Sequence, residues 1–126
     1  MTQPILKPGR LHPITVEPAG SEVTVTVADR VIARSEHALT LREASLPPVH
    51  YLPLGDVDPA VLVASEHTSY CPYKGEATYY GLRVGDQVTP DVVWTYTDPH
   101  DAVAPIADHV AFWVGKVDGL AITESA

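Results

Sequence analysis

Residues 21–43, SEVTVTVADRVIARSEHALTLRE, decide the fold class. Val23, Val25 and Val27 alternate with Thr24 and Thr26, and a period of two residues marks a strand with one buried face. The β-branched residues that carry the alternation suit a pleated surface. Ala28, Asp29 and Arg30 read as a short turn, residues 31–35 as a returning strand, and Leu39 with Leu41 as a third. Downstream, EATYYGLRV and VTPDVVWTYT flank a turn near residues 85–87, the pattern of an antiparallel hairpin. HVAFWVGKV predicts another strand, Asp118-Gly119 a tight turn, and residues 120–123 a last strand.

Between these β segments, LPPVHYLPLGDVDPAVLVAS reads differently. Pro47, Pro48 and Pro53 cannot donate to a sheet ladder, so a loop or sheet edge is expected there. Asp58 before Pro59 has the form of an N-cap followed by proline at the first helical position, opening a turn or two through Val63. The second Asp-Pro segment, from Asp98, is cut short by Pro105. About eight short strands and two short helices predict a mostly β, single small antiparallel domain, a barrel or a sandwich, over residues 14–126. A metal-free β-tent is the second choice of architecture. Residues 1–13, rich in proline and without periodicity, are expected to form an extended surface arm.

Bulk properties narrow the function. A chain of 126 residues supports one core without covalent staples. No apolar run approaches the roughly 20 residues that span a bilayer, which predicts no membrane partner. Prolines stand where a signal peptide needs its apolar stretch, so a cytoplasmic location is expected. The net charge of −8, with eight scattered basic residues, argues against nucleic acid. It leaves room for a small anion held by one local cation.

The chemistry concentrates in residues 66–80, EHTSYCPYKGEATYY, which contain the single cysteine. Strand alternation from Cys71 would place Tyr73, Gly75, Ala77 and Tyr79 on its face, with Lys74, Glu76 and Tyr80 opposite. Pro72 argues that pairing starts only after it, which sets Cys71 and Lys74 at a strand mouth. Cys71 is a candidate nucleophile if Lys74 or His67 lowers its pKa; the plainer reading is a small buried hydrophobe. Lys74 is a candidate anchor for phosphate or carboxylate, or else a solvated partner of Glu76. One cysteine and no histidine pair at ligand spacing give no metal site, and no cofactor is expected. Trp94 and Tyr96 share a strand face and should lie opposite residues near Tyr79, as core or as a ligand-facing wall. Phe112 and Trp113 point to opposite faces.

Four segments, residues 31–58, 67–80, 92–99 and 106–119, follow the order and spacing of a known family. The chain resembles the domain-of-unknown-function 427 family over roughly residues 14 to 120. The Cys71-Pro72-Tyr73-Lys74-Gly75 centre is its most specific part. The resemblance implies a compact, mostly β protein of bacterial type, and the family carries a nucleotidyltransferase-like label. That chemistry would need metal-binding carboxylates; Asp56 and Asp58 have the spacing, but turn and N-cap roles account for them. Among the positions matching the family pattern, Glu43, Tyr51, Thr68, Cys71 and Lys74 are costly to bury without partners.

These observations predict a pocket for a small anionic or nucleotide-like molecule. Lys74, Tyr51, Thr68, Tyr73, Trp94 and Tyr96 are its expected ligand-binding residues, with Cys71 and Glu43 as the groups able to catalyse. Two alternatives stand beside it: a homodimerising interaction module using exposed Tyr80 or Trp113, and a Cys71-dependent thiol enzyme.

Overall fold

A computed structural model describes residues 4–125; the first three residues of the expected arm, and Ala126, lie outside them. Ten strands form two antiparallel sheets among the described residues. The larger runs β1 (Ile14–Pro18), β4 (Leu39–Glu43), β5 (Val49–Pro53), β9 (His109–Phe112), β8 (Gln87–Thr95), β7 (Gly75–Val84), β6 (Leu62–Cys71). The smaller runs β10 (Leu120–Glu124), β2 (Val23–Val27), β3 (Arg30–Ser35). The larger sheet ends in edge strands β1 and β6, so the architecture is a sandwich and not a closed barrel.

The period of two decides what the sandwich buries. Val23, Val25 and Val27 are at most 3% exposed. With Ile32 and Ala33 they meet Leu52, Leu82, Val93, Val110 and Phe112 from the larger sheet. Each such aliphatic side chain taken from water stabilises the fold by roughly 1.5–3 kcal/mol. The β2–β3 turn uses Ala28 and Asp29, both at positive φ (50° and 67°), as a two-residue type I′ connection requires.

The residues alternating with that core form a second layer on the opposite face of the larger sheet. Leu41, Tyr51, Ala77, Tyr96 and Ala111 pack there with Val103 and Ile106. The last two come from a 3₁₀ segment, Asp101–Ile106, that lies over part of this face. Thus Tyr51 and Leu52 serve opposite layers, as do Trp94 and Val93, and Tyr79 and Tyr80.

Two expectations change. Residues 49–53 are an interior strand between β4 and β9, not a loop or edge. The prolines allow this because Pro47 and Pro48 precede the strand and Pro53 is its last residue. Residues 62–71 also form a strand, so pairing does not wait for Pro72. Asp58 caps the Pro59–Val61 turn as anticipated, accepting from Ala60 N at 3.0 Å, but the helix ends after that single 3₁₀ turn.

β6 and β7 join through a tight turn whose grammar is the Cys-Pro-Tyr-Lys-Gly sequence. Cys71 pairs with Gly75, and Lys74 N donates to Cys71 O at 3.2 Å. Pro72 sits where a turn wants φ near −65°. Gly75 takes φ +112° and lies against the loop at 98–100, so a Cβ there would meet His100 Cδ2 at 3.4 Å. Gly75→Ala is therefore expected to cost about 1–2 kcal/mol, seen as a lower urea midpoint with an unchanged m-value. A midpoint equal to wild type would show that the turn tolerates a side chain.

Candidate functional site

On the second face, register builds a row of side chains across four strands. Tyr79 pairs with Trp94, and Trp94 with Ala111. Leu52 pairs with Val110, which sets Tyr51 level with Ala111. Ala111 is too small to separate its neighbours, so the two rings meet over it. Trp94 Nε1 donates to Tyr51 OH at 3.1 Å, and the rings stand edge to face at 6.5 Å and 87°, a geometry that aromatic quadrupoles favour. The uncovered part of this face is a cleft of about 270 Å³, walled by Val49, Tyr51, Tyr79, Trp94, Tyr96 and Trp113, with Lys74 as its cation.

Lys74 enters the cleft because it closes the β6–β7 turn instead of continuing a strand. Its chain is largely buried and its Nζ lies 2.8 Å from Glu43 Oε1. Glu43 ends β4 on the face shared with Leu39 and Leu41, and its other oxygen, Oε2, accepts from His12 Nε2 at 2.7 Å. His12 also stacks on Tyr73, with centroids 4.1 Å apart and planes 10° from parallel. The result is an ordered chain of groups: Tyr73, His12, Glu43, Lys74, cleft.

Electrostatics hold Glu43 and Lys74 charged. Burial pushes the Glu43 carboxyl up, but hydrogen bonds and charge from Lys74 and His12 outweigh it, and the net pKa falls below 4.5. For Lys74 burial pulls down, while the hydrogen bond to Glu43 and the charge of that carboxylate outweigh it, leaving the ammonium above 10.5. Burial raises Tyr51 and Tyr96, so both remain neutral hydroxyls. Cys71 is a half-buried free thiol at the end of β6, just before the turn that carries Lys74, and is not among the residues lining the cleft.

A pH dependence follows with a definite sign. A lowered carboxyl pKa means that Glu43 adds its full stability above pH 4.5 and loses it as pH falls below that value. A raised ammonium pKa means that the Lys74 share is complete below pH 10.5 and is lost as pH rises further. The Tm gap between wild type and Glu43→Gln should therefore shrink on acidification below pH 4.5. A gap that widens there would reverse the assigned direction.

The anticipated site residues divide accordingly. Tyr51, Lys74, Trp94 and Tyr96 line the cleft, and Glu43 stands behind Lys74. Tyr73 lies on the far side of Glu43, against His12. Thr68 is exposed on β6 opposite Thr78 and is not among the residues lining the cleft. Residues 72–74 form a turn, so strand alternation does not carry from Cys71 to Lys74. Trp113 is 45% exposed and Phe112 is 4% exposed in the opposite core. Tyr80 packs against that same core. His12 is the site residue that the arm reading missed. The signal was present: His12, Ile14 and Val16 alternate across Pro13, and Ile14 pairs with Glu43.

Of the two carboxylates considered for nucleotidyl transfer, Asp58 has both oxygens engaged, one by its cap and the other by Arg30 at 3.0 Å. No group of three potential metal ligands occurs among the described residues, and none of their helices is long and apolar enough to cross a membrane. No curated protein matches the chain. A family model described as a domain of unknown function, DUF427, matches residues 15–123, which takes in all of this framework except His12 and the arm; the protein belongs to the DUF427 family.

Proposed function

We propose that the cleft binds a small planar anion, with Lys74 as the charge anchor and the rings of Tyr51, Tyr79, Trp94 and Tyr96 as its walls. The observation that carries this reading is the placement of Lys74: its Nζ is gripped by Glu43 on one side at 2.8 Å and borders the aromatic cleft on the other. An ammonium has three donors, and Glu43 is the one hydrogen-bond partner found for it among the described residues. Held away from bulk water, the remaining N–H groups interact more strongly with an incoming anion than they would on the surface. The Tyr51 hydroxyl accepts from Trp94 and retains its own proton to donate.

Size and charge favour a single-ring carboxylate over a nucleotide. The cleft, about 270 Å³, is smaller than the roughly 300–1,000 Å³ of drug-sized ligand sites. One partly neutralised cation also matches one carboxylate better than a polyphosphate. The raised pKa of Lys74 leaves no free amine for Schiff-base chemistry.

Benzoate titration followed by tryptophan fluorescence tests the proposal. Saturable quenching is expected for wild type, with AMP binding more weakly. Lys74→Met should weaken benzoate at least tenfold, a loss of about 1.4 kcal/mol or more, while Lys74→Arg retains most of the affinity. Circular dichroism melts establish that each variant is folded at the titration temperature. Equal benzoate affinity in wild type and folded Lys74→Met removes the anchor role.

A further inference from the structure

A second, larger hollow lies under the N-terminal arm. It measures about 750 Å³ and shares no lining residue with the aromatic cleft. The arm is fastened across it. Leu6 N donates to Pro72 O at 2.9 Å, and Tyr70 OH donates to Pro4 O at 2.6 Å. The walls are mainly apolar: Ile5, Leu6 and Pro8 from the arm, Ile14 at the start of β1, and Pro99 and Ala102 opposite. Ile5 and Leu6 remain 64% and 47% exposed, so the arm leaves apolar surface uncovered beside the opening. The volume falls within the roughly 300–1,000 Å³ usual for small-molecule sites.

The polar groups of this hollow are mostly acceptors. Asp98 and Asp101 line it and, among the described residues, form no ion pair. Lys7 supplies one positive charge against those two carboxylates. His100 also lines the hollow, with its Nε2 3.4 Å from Tyr70 OH. Its Nδ1 is buried and has no hydrogen-bond partner among the described residues. The chain's net charge of −8 adds a field that attracts cations.

We infer that the hollow between the N-terminal arm and the Asp98–Ala102 loop is a second binding site, for a small amine with an apolar body. The ammonium meets Asp98 and Asp101, and the alkyl or aryl portion covers Ile5, Leu6, Ile14 and Pro99. This assignment does not rest on the anion cleft, and either can fail without the other.

The test is an NMR titration of the full chain with n-hexylamine, with n-hexanol and n-hexanoate as controls. Hexylamine is a cation at neutral pH. It should shift the Ile5, Leu6 and Ala102 amide resonances saturably and at least fivefold more tightly than hexanol, whereas hexanoate leaves them in place. In the Asp98→Asn/Asp101→Asn double variant, hexylamine affinity should fall at least fivefold. Both aspartates are exposed, and a matching melting curve verifies the fold of the variant. The inference is overturned if hexanol or hexanoate binds there as tightly as hexylamine, if the double variant binds hexylamine as wild type does, or if the shifts fall only on the Tyr79–Trp94 cleft.

Discussion

Replacing Glu43 by alanine is expected to lower the unfolding free energy by about 3 kcal/mol, because it strands a largely buried ammonium. Glu43 is 8% exposed, and its two oxygens hold Lys74 and His12 at 2.8 and 2.7 Å. The substitution removes both contacts and leaves Lys74 without the partner that offsets its desolvation. The size of the loss thus reports the stranded charge more than the intrinsic worth of the pair. A double variant separates the two: Glu43→Leu/Lys74→Met, apolar at both positions, should recover most of the stability lost in Glu43→Ala. Urea unfolding of wild type, Glu43→Leu, Lys74→Met and the double variant supplies the cycle, with Glu43→Ala measured beside it. If Glu43→Ala lies within about 0.5 kcal/mol of wild type, in the range of ordinary surface substitutions, the pair is effectively solvated and cannot organise a site.

Neighbouring residues 51 and 52 should respond in opposite ways. Leu52 is 0% exposed in the layer between the sheets, and Leu52→Ala should cost about 3 kcal/mol through lost burial and the cavity left behind. Because that layer is on the other side of β5 from the cleft, the folded variant should keep its benzoate affinity. Tyr51→Phe keeps the ring but removes the hydroxyl that accepts from Trp94 Nε1. Its cost should be about 1 kcal/mol, with weaker benzoate binding out of proportion to that small change. Chemical denaturation and fluorescence titration of both variants check the contrast. Benzoate affinity that falls in Leu52→Ala and is unchanged in Tyr51→Phe would place the ligand elsewhere.

Much of the fold was legible because strand alternation is a local property. Val23, Val25 and Val27 declare a buried face without knowledge of what covers them. The pairing of β7 with β8 could be anticipated from the short loop that joins them, but a register shift between Tyr80 and Leu82 decides that Tyr79 meets Trp94. Where the reading failed, the missing information was long-range. β5 was obscured by prolines that prove harmless at its ends, since what matters is which backbone N–H groups the neighbouring strands require. β6 was obscured by Pro72, which belongs to the turn after it.

The candidate site shows the same division. The sequence by itself determined the residue types, the turn that Pro72 and Gly75 impose, and the alternation that separates Tyr79 from Tyr80. Only the tertiary structure decided that Lys74 meets a carboxylate 31 positions away, that His12 takes the other oxygen, and that Thr68 stays outside. The reason is physical. Turn and strand preferences act between residues adjacent in the chain, whereas the partner of a buried charge depends on which strands lie side by side. The burial of two whole sheet faces sets that order, and no single stretch of the chain encodes it.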